Sequence, residues 1–199
     1  MIWFFLLVIQ LAMAHTVLDE KYKAVARQTD EALAHPKLYE SPAYRTVAFC
    51  KVPVVLHMLR QRLGDEVFFA GWKKVFQGDN QEMDPYGAFA TAFSEVSSED
   101  LTPFFDDWFF RAGFPSLELT WAAKEVDGGP GVELTLRQTQ AEPYQIDVEV
   151  EIELEDESRT TRRLGLYAGE ETYVFALESP PVALSLDPDE LALFHEEPP

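Results

Sequence analysis

The sequence predicts an α+β protein of two domains, a helical region over residues 1–113 and a small antiparallel β-sandwich over residues 114–199. Hydrophobic residues recur at helical spacing up to Gly113, and from Phe114 onward they alternate with polar residues. The charge changes at the same place: residues 115–199 contain 20 Asp+Glu and 5 Lys+Arg, a net charge of −15, whereas the first 114 residues carry −4. With 47% hydrophobic residues, the chain can bury a core in both parts.

The first half predicts an array of helices joined by short loops. Residues 2–33 contain neither Pro nor Gly and predict one or two helices, which His35–Pro36 ends. Residues 54–63 keep apolar side chains at helical spacing. Pro53 fits the first turn of this helix, Gly64 its end, and Asp65 the N-cap of the next one. A further helix is predicted over 86–95, and a last one over 101–113, capped by residues 98–100.

The second half predicts about six short strands. The clearest is YQIDVEVEIELE, in which the apolar residues 146, 148, 150, 152 and 154 alternate with four carboxylates. We interpret this row of carboxylates as a solvated sheet face. Calcium binding is the alternative, but no loop repeats the ligand spacing of a known calcium motif. Leu117, Leu119 and Trp121 are predicted to share one face of the first strand.

Charge argues against several classes of partner. The whole chain carries 16 Lys+Arg and 35 Asp+Glu, a net charge of −19. A field of that sign repels phosphate, so we expect no nucleic-acid partner and no docking on an anionic membrane surface.

The N-terminal segment Met1–Ala14, MIWFFLLVIQLAMA, has two interpretations. It resembles the apolar region and cleavage site of a secretory signal peptide, although it has no basic residue before Lys21. The alternative is a buried helix. The first predicts a secreted or periplasmic protein and the second a cytoplasmic one, and the sequence leaves the compartment open.

Three segments carry a family resemblance. The first is KVPVVLHMLRQRLG, residues 51–64, followed by DEVF; the second is DLTPFFDDWFFRAGFP, residues 100–115; the third is the strand region 117–189 with LRQTQ and SLDPD. In order and spacing they resemble the C-terminal part of an M1-family zinc aminopeptidase of the membrane alanyl aminopeptidase type. The resemblance implies that the helical region corresponds to part of a thermolysin-like catalytic domain and that a β-sandwich domain follows it.

The zinc-binding residues implied by the resemblance are missing from this sequence. The family holds zinc with H-E-x-x-H and a further Glu, and the Glu of the motif acts as general base. The sequence has no H-E-x-x-H, and it lacks a Gly-Ala-Met-Glu-Asn-type segment for the substrate amine. No two of its histidines are four residues apart: His15, His35, His57 and His195. We therefore expect no metal or cofactor site in this chain, and zinc only in the parent family.

One catalytic position of the family does fall inside the chain. The Tyr of the family's Tyr-x-Lys-Gly donates a hydrogen bond to the oxyanion. Aligned on Lys51, this position is Phe49, and the family's Gly is Val52. Phe has no hydroxyl, so we predict no catalytic residue here. Tyr44 is the alternative donor if its loop rearranges; otherwise it is a packing residue.

The remaining reactive side chains have structural interpretations. Cys50 is the one cysteine of the sequence, so a disulfide within the chain is excluded. We predict that its thiol is buried and inert. His57 lies in an apolar helix and predicts a hydrogen-bonded structural residue. Asp106 and Asp107 are adjacent on a helix and point about 100° apart, so they do not converge on one site.

Three functions follow. The first is a fragment of an M1-type aminopeptidase that is inactive alone and has as its partner the zinc-bearing part of the enzyme; peptides would be substrates of the parent family. The second is a free-standing, non-catalytic binding or scaffold module. The presence of Phe49 in place of the family's catalytic Tyr favours this hypothesis. The third is an unrelated secreted β-sandwich protein.

Overall fold

The computed structural model describes residues 15–26, 30–77 and 85–198. The chain divides into two compact units on either side of the Gly113–Phe114 peptide bond. This is the place where the period of the hydrophobic pattern changes. Residues 1–14, on which both hypotheses for the N-terminal segment depend, lie outside the described residues. Within the described ranges, no helix combines the length and the hydropathy needed to cross a membrane.

Four helices and three shorter turns make up the described part of the first unit. They are α1 (His15–Ala26), a 3-10 turn (Leu38–Glu40), a helical turn (Tyr44–Thr46), a π-helix (Val47–Lys51), α2 (Val52–Gln77), α3 (Pro85–Ser97) and α4 (Thr102–Phe109). The predicted extension of helix to residue 33 is wrong, because residues 30–32 are not helical and residues 33–34 form a turn. There the Ala34 N–H donates to the Phe109 carbonyl at 2.8 Å.

Helix α2 is two helical segments that meet at Gly64. This residue has φ 75° and ψ 163°, a left-handed conformation that favours glycine, and it confirms the predicted break. The Asp65 carboxylate accepts hydrogen bonds from Arg60 Nε at 2.7 Å and Nη2 at 2.9 Å. Arg60 forms this ion pair within α2 and lies 5.3 Å from the Phe69 ring.

Aromatic side chains form the core of the first unit. Phe68, Phe93, Phe105 and Trp108 are each at most 1% exposed, and the Phe93 and Phe105 ring centroids lie 6.0 Å apart. Such tilted contacts between rings add to the free energy of burial. Trp72 and Trp108 are both buried and belong to this core.

Close packing of α2 on α3 depends on a small residue. A Cβ built on Gly71 would lie 2.6 Å from Cδ1 of Phe93, closer than real Cβ contacts occur. The absent side chain at Gly71 therefore makes room for the Phe93 ring.

The described part of the second unit contains seven strands in two sheets. The strands are β1 (Ser116–Val126), β2 (Gly129–Gln138), β3 (Ile146–Leu154), β4 (Arg159–Leu166), β5 (Glu170–Ala176), β6 (Pro181–Leu186) and β7 (His195–Glu197). One sheet has the order β5-β2-β1-β7 and the other β4-β3-β6. All pairings are antiparallel except β1 with β7, which is parallel and spans only residues 116–118 of β1.

Burial follows the predicted alternation on β2 and β3 but not along all of β1. The apolar residues of β3, from Ile146 to Leu154, are all buried, and Leu134 of β2 is completely buried. On β1, Leu117 is buried, whereas Trp121 is 38% exposed. The expected common buried face of β1 therefore ends before Trp121.

The carboxylates of β3 face basic residues of β4. Glu149 lies opposite Arg163 in the register, and Arg159 contacts Glu151 at 3.0 Å and Glu153 at 3.5 Å. These side chains are half-buried or exposed, in keeping with the predicted solvated face. Such exposed pairs contribute little to stability individually.

A buried glutamine organises the loop between β2 and β3. Gln138 is 5% exposed, and its Nε2 donates to the carbonyls of Tyr144 at 2.8 Å and Ala168 at 3.1 Å. Its Oε1 accepts from the Tyr144 N–H at 2.8 Å and from Gln140 Nε2 at 2.6 Å. The side chain thus replaces the hydrogen bonds that the loop backbone would otherwise make to water.

Candidate functional site

The candidate site of the first unit is the π-helix Val47–Lys51, which carries Phe49. The Val52 N–H donates to the Val47 carbonyl, five residues back, as in a π-helix. Pro53 follows and has no N–H to donate to the Phe49 carbonyl, so the ordinary i to i−4 ladder is interrupted here. Single π-turns of this kind occur frequently at functional sites.

Phe49 and Tyr44 lie together on the surface. Phe49 is 42% exposed and Tyr44 is 39% exposed. Their ring centroids are 6.1 Å apart in an edge-to-face arrangement. The structure thus brings the two candidate positions next to each other, and the phenol at this place belongs to Tyr44. Use of its hydroxyl in place of the missing one stays a prediction.

The last residue of the π-helix, Lys51, is a buried lysine whose surroundings the sequence did not predict. Lys51 is 1% exposed, and its Nζ donates to the carbonyls of Gly113 at 2.8 Å and Arg111 at 3.2 Å. The Tyr22 ring centroid is 5.4 Å from Nζ, a distance typical of a cation–π contact. Burial lowers the pKa of Lys51 to about 8, the Asp30 carboxylate opposes this, and the Arg111 guanidinium adds to it.

Asp30 completes the surroundings of Lys51. Its Oδ2 accepts hydrogen bonds from the Tyr22 hydroxyl at 2.9 Å and from the Gly113 N–H. Arg111, whose carbonyl contacts Lys51, directs its guanidinium to Asp107 at 2.7 Å. A negative carboxylate and backbone carbonyls therefore compensate part of the cost of burying an ammonium group.

Among the described residues, Cys50, His57, Asp106 and Asp107 do not form a catalytic cluster. Cys50 is half-buried rather than fully buried as predicted, and burial raises the pKa of its thiol, which disfavours the reactive thiolate. His57 Nε2 lies 3.2 Å from Gln61 Nε2, so the predicted structural role has a partner on the same helix. Asp107 is paired with Arg111, while the neighbouring Asp106 is exposed.

The described residues do not fit a zinc ion. Over ranges 15–26, 30–77 and 85–198, no three His, Cys, Asp or Glu side chains lie close enough to hold a metal. His35 Nδ1 contacts Glu31 at 3.5 Å, and His57 Nε2 contacts Gln61 at 3.2 Å. We therefore derive no chemical step through a metal in this chain.

Comparison with known proteins identifies aminopeptidases as relatives. No protein-family model matches the chain. A segment of 83 residues is 30% identical to Aminopeptidase N of Lactococcus lactis subsp. lactis; it is 42% of this chain and 10% of that protein. The structure is similar to Legionella pneumophila aminopeptidase A, solved in complex with aspartic acid, with a TM-score of 0.67 at 19% identity.

The structural match covers 85% of this chain and 20% of the Legionella aminopeptidase. This chain therefore spans about a tenth of the length of the curated relative and a fifth of the solved one. The resemblance inferred from the sequence is confirmed to the extent that the chain has aminopeptidase-like relatives and an α+β fold shared with one of them.

Proposed function

From this aminopeptidase-like origin, we propose that the chain is a fragment or a degenerate relative of an M1-type zinc aminopeptidase and is inactive alone. The parent activity would be removal of N-terminal residues from peptides. In this proposal the helical unit derives from a thermolysin-like catalytic domain, and the two sheets of the second unit correspond to the β-sandwich domain.

The observation that supports this most is the environment of Phe49. The side chain faces solvent on a π-helix, at the place where the resemblance puts a catalytic Tyr. A hydroxyl at such a place would be free to reach a substrate, and Phe49 has none. Loss of one oxyanion donor costs about 10²–10³ in rate, so position 49 alone would weaken catalysis severely.

Zinc would have to come with a partner. The sequence has no H-E-x-x-H, and over the described residues no three His, Cys, Asp or Glu side chains lie close enough to hold a metal. We propose that the partner is the zinc-bearing part of an aminopeptidase, on the same polypeptide or a second one. The helical unit would then form one wall of a peptide cleft.

A second candidate function is a non-catalytic binding or scaffold module, secreted or intracellular. The exposed pair of Tyr44 and Phe49 favours it, because two adjacent aromatic rings offer an apolar contact surface without acid–base chemistry. Aromatic side chains at such places commonly anchor protein–protein contacts.

The first experiment is an activity and metal assay of the purified chain. We expect no release of p-nitroaniline from a panel of aminoacyl-p-nitroanilides after incubation with zinc, and no retained zinc after gel filtration. The Phe49→Tyr variant is the matched control and should also be inactive, because it restores a hydroxyl but no metal ligand. Zinc-dependent hydrolysis by the wild type would overturn the proposal.

The second experiment separates the two candidates. An antibody against the second unit measures the mass of the native product in its source cells. A product several times heavier than 22.7 kDa supports the aminopeptidase fragment. A product at or below that mass contradicts a fragment on a longer polypeptide and favours the free-standing module.

A further inference from the structure

Gly113, the last residue of the first unit, is held by three side chains. Its N–H donates to Asp30 Oδ2, and its carbonyl accepts from Lys51 Nζ at 2.8 Å and from the Tyr22 hydroxyl at 3.3 Å. Its φ of 87° lies in the left-handed region that favours glycine. The hydrogen bonds of this residue are thus made with side chains from segments 62 to 91 positions away.

Lys51 connects Gly113, at the end of the first unit, to the π-helix. It is the last residue of the π-helix Val47–Lys51, two positions after Phe49, and its ammonium also donates to the Arg111 carbonyl at 3.2 Å. The charged groups around it are the Asp30 carboxylate and the Arg111 guanidinium. One side chain therefore spans the distance between the exposed face of the π-helix and residues 111–113.

A buried ammonium group depends on its acceptors. Without the carbonyls of residues 111 and 113, Lys51 would keep a desolvated charge that the Asp30 carboxylate and the Tyr22 ring compensate only in part. If the Lys51 side chain then left the interior, it would move the π-helix to which it belongs. The hydrogen-bond ladder of this helix is already interrupted at Pro53. The reverse also holds, because movement of the π-helix withdraws Lys51 from Gly113.

We propose that Lys51, Asp30 and Tyr22 form a latch, by which we mean a set of side-chain hydrogen bonds that couples the conformation of residues 111–113, the end of the helical unit, to that of the π-helix carrying Phe49. Lys51 is the positioning residue of this latch: opening at Gly113 loosens the π-helix, and loosening of the π-helix opens Gly113. The latch is independent of the proposed function, since it would operate equally in an enzyme fragment or in a binding module.

The chain contains a natural reporter at each end of the latch. Cys50, the one cysteine of the sequence, lies within the π-helix, and its reaction rate with a thiol reagent such as DTNB reports opening there. Arg111 is a trypsin site whose carbonyl accepts from Lys51, so cleavage after Arg111 reports opening at the chain exit. Proteolysis of a folded protein requires such local opening.

The test removes single polar groups from the latch. Tyr22→Phe deletes the hydroxyl and keeps the ring beside Lys51; Asp30→Asn keeps the shape and removes the charge. We expect both variants to increase the Cys50 reaction rate and the cleavage rate after Arg111 by about tenfold each, the usual effect of losing a charge-assisted hydrogen bond. Asp65→Asn, in the exposed pair with Arg60, is the matched control and should change neither rate.

Cleavage after Arg60, inside α2, identifies general unfolding of the unit. It should remain at the wild-type rate in the latch variants. If Asp30→Asn raises all three rates, Tyr22→Phe decides, because it removes only one hydroxyl. The proposal is overturned if Tyr22→Phe changes the rate at one end only, changes neither, or raises cleavage after Arg60 in parallel with the other two.

Discussion

Replacing Lys51 by Met should remove a pH dependence of stability that arises from one buried charge. The Met side chain has similar length and apolar bulk, and it lacks the ammonium. Burial lowers the pKa of Lys51 from 10.5 to about 8 in the folded chain. The folded and unfolded chains therefore bind this proton differently over a defined range of pH.

The size and sign of the effect follow from linkage. Between pH 8 and 10.5 the unfolded chain keeps the proton on Lys51 while the folded chain releases it, so the unfolded state binds more protons. The free energy of unfolding of the wild type must then rise with pH over this window. A pKa difference of this size corresponds to about 3 kcal/mol, and below pH 8 the contribution has no slope.

The assay is urea unfolding of wild type and Lys51→Met from about pH 7 to about pH 11, followed by fluorescence of Trp72 and Trp108, which are buried in the same unit. The difference between the two free energies cancels the titrations that both chains share. We expect it to move by about 3 kcal/mol in favour of the wild type between pH 8 and 10.5.

A difference between the two free energies of unfolding that does not change with pH would refute the lowered pKa of Lys51. It would mean that Asp30 and the two carbonyls compensate burial fully and that Lys51 keeps its ordinary pKa. A difference that moves in favour of Lys51→Met would mean that these groups raise the pKa of Lys51. The neutral amine still has N–H groups for Gly113, so the hydrogen bond can survive deprotonation.

Two further predictions concern packing and buried polarity. Gly71→Ala should lower the free energy of unfolding of the first unit by about 1–3 kcal/mol, because the new Cβ would overlap the Phe93 ring. Thermal unfolding measures this loss, and Gly169→Ala, at a position where a Cβ meets no neighbouring atom, is the control. An unchanged melting temperature would contradict the close contact. Gln138→Leu should destabilise the second unit by about 2–3 kcal/mol, because it leaves buried backbone groups without partners. Urea unfolding followed by Trp121 fluorescence checks this, and a loss no larger than that of Gln140→Ala would contradict it.

Features set by local patterns were predictable from the sequence. The alternation over residues 146–154 predicted β3 and its buried face, because the period of two is a property of the strand itself. The break at Gly64 was predictable because few other residues adopt φ 75° without strain. Strand β7 was missed because three residues, His195–Glu197, pair through their backbone and carry no hydrophobic alternation.

Features that depend on distant contacts were not predictable. Lys51 precedes an apolar run, and nothing local indicates that its ammonium reaches carbonyls 60 and 62 residues away. The π-helix had one local signal, the missing N–H of Pro53, which the sequence analysis assigned only to a first helical turn. The contact between Tyr44 and Phe49 was not predicted, because the sequence offered Tyr44 only as an alternative donor after a loop rearrangement.

The distribution of charge in the second unit affects how copies of the chain meet each other. Residues 115–199 contain 20 acidic residues and only five basic ones, and three of these five lie together on β4. Strand β7 covers only residues 116–118 of β1, which leaves the longer part of that edge without a described neighbour strand. Such edges invite pairing between molecules. At low ionic strength, repulsion between two such acidic units keeps their edges apart, and added salt weakens that colloidal protection.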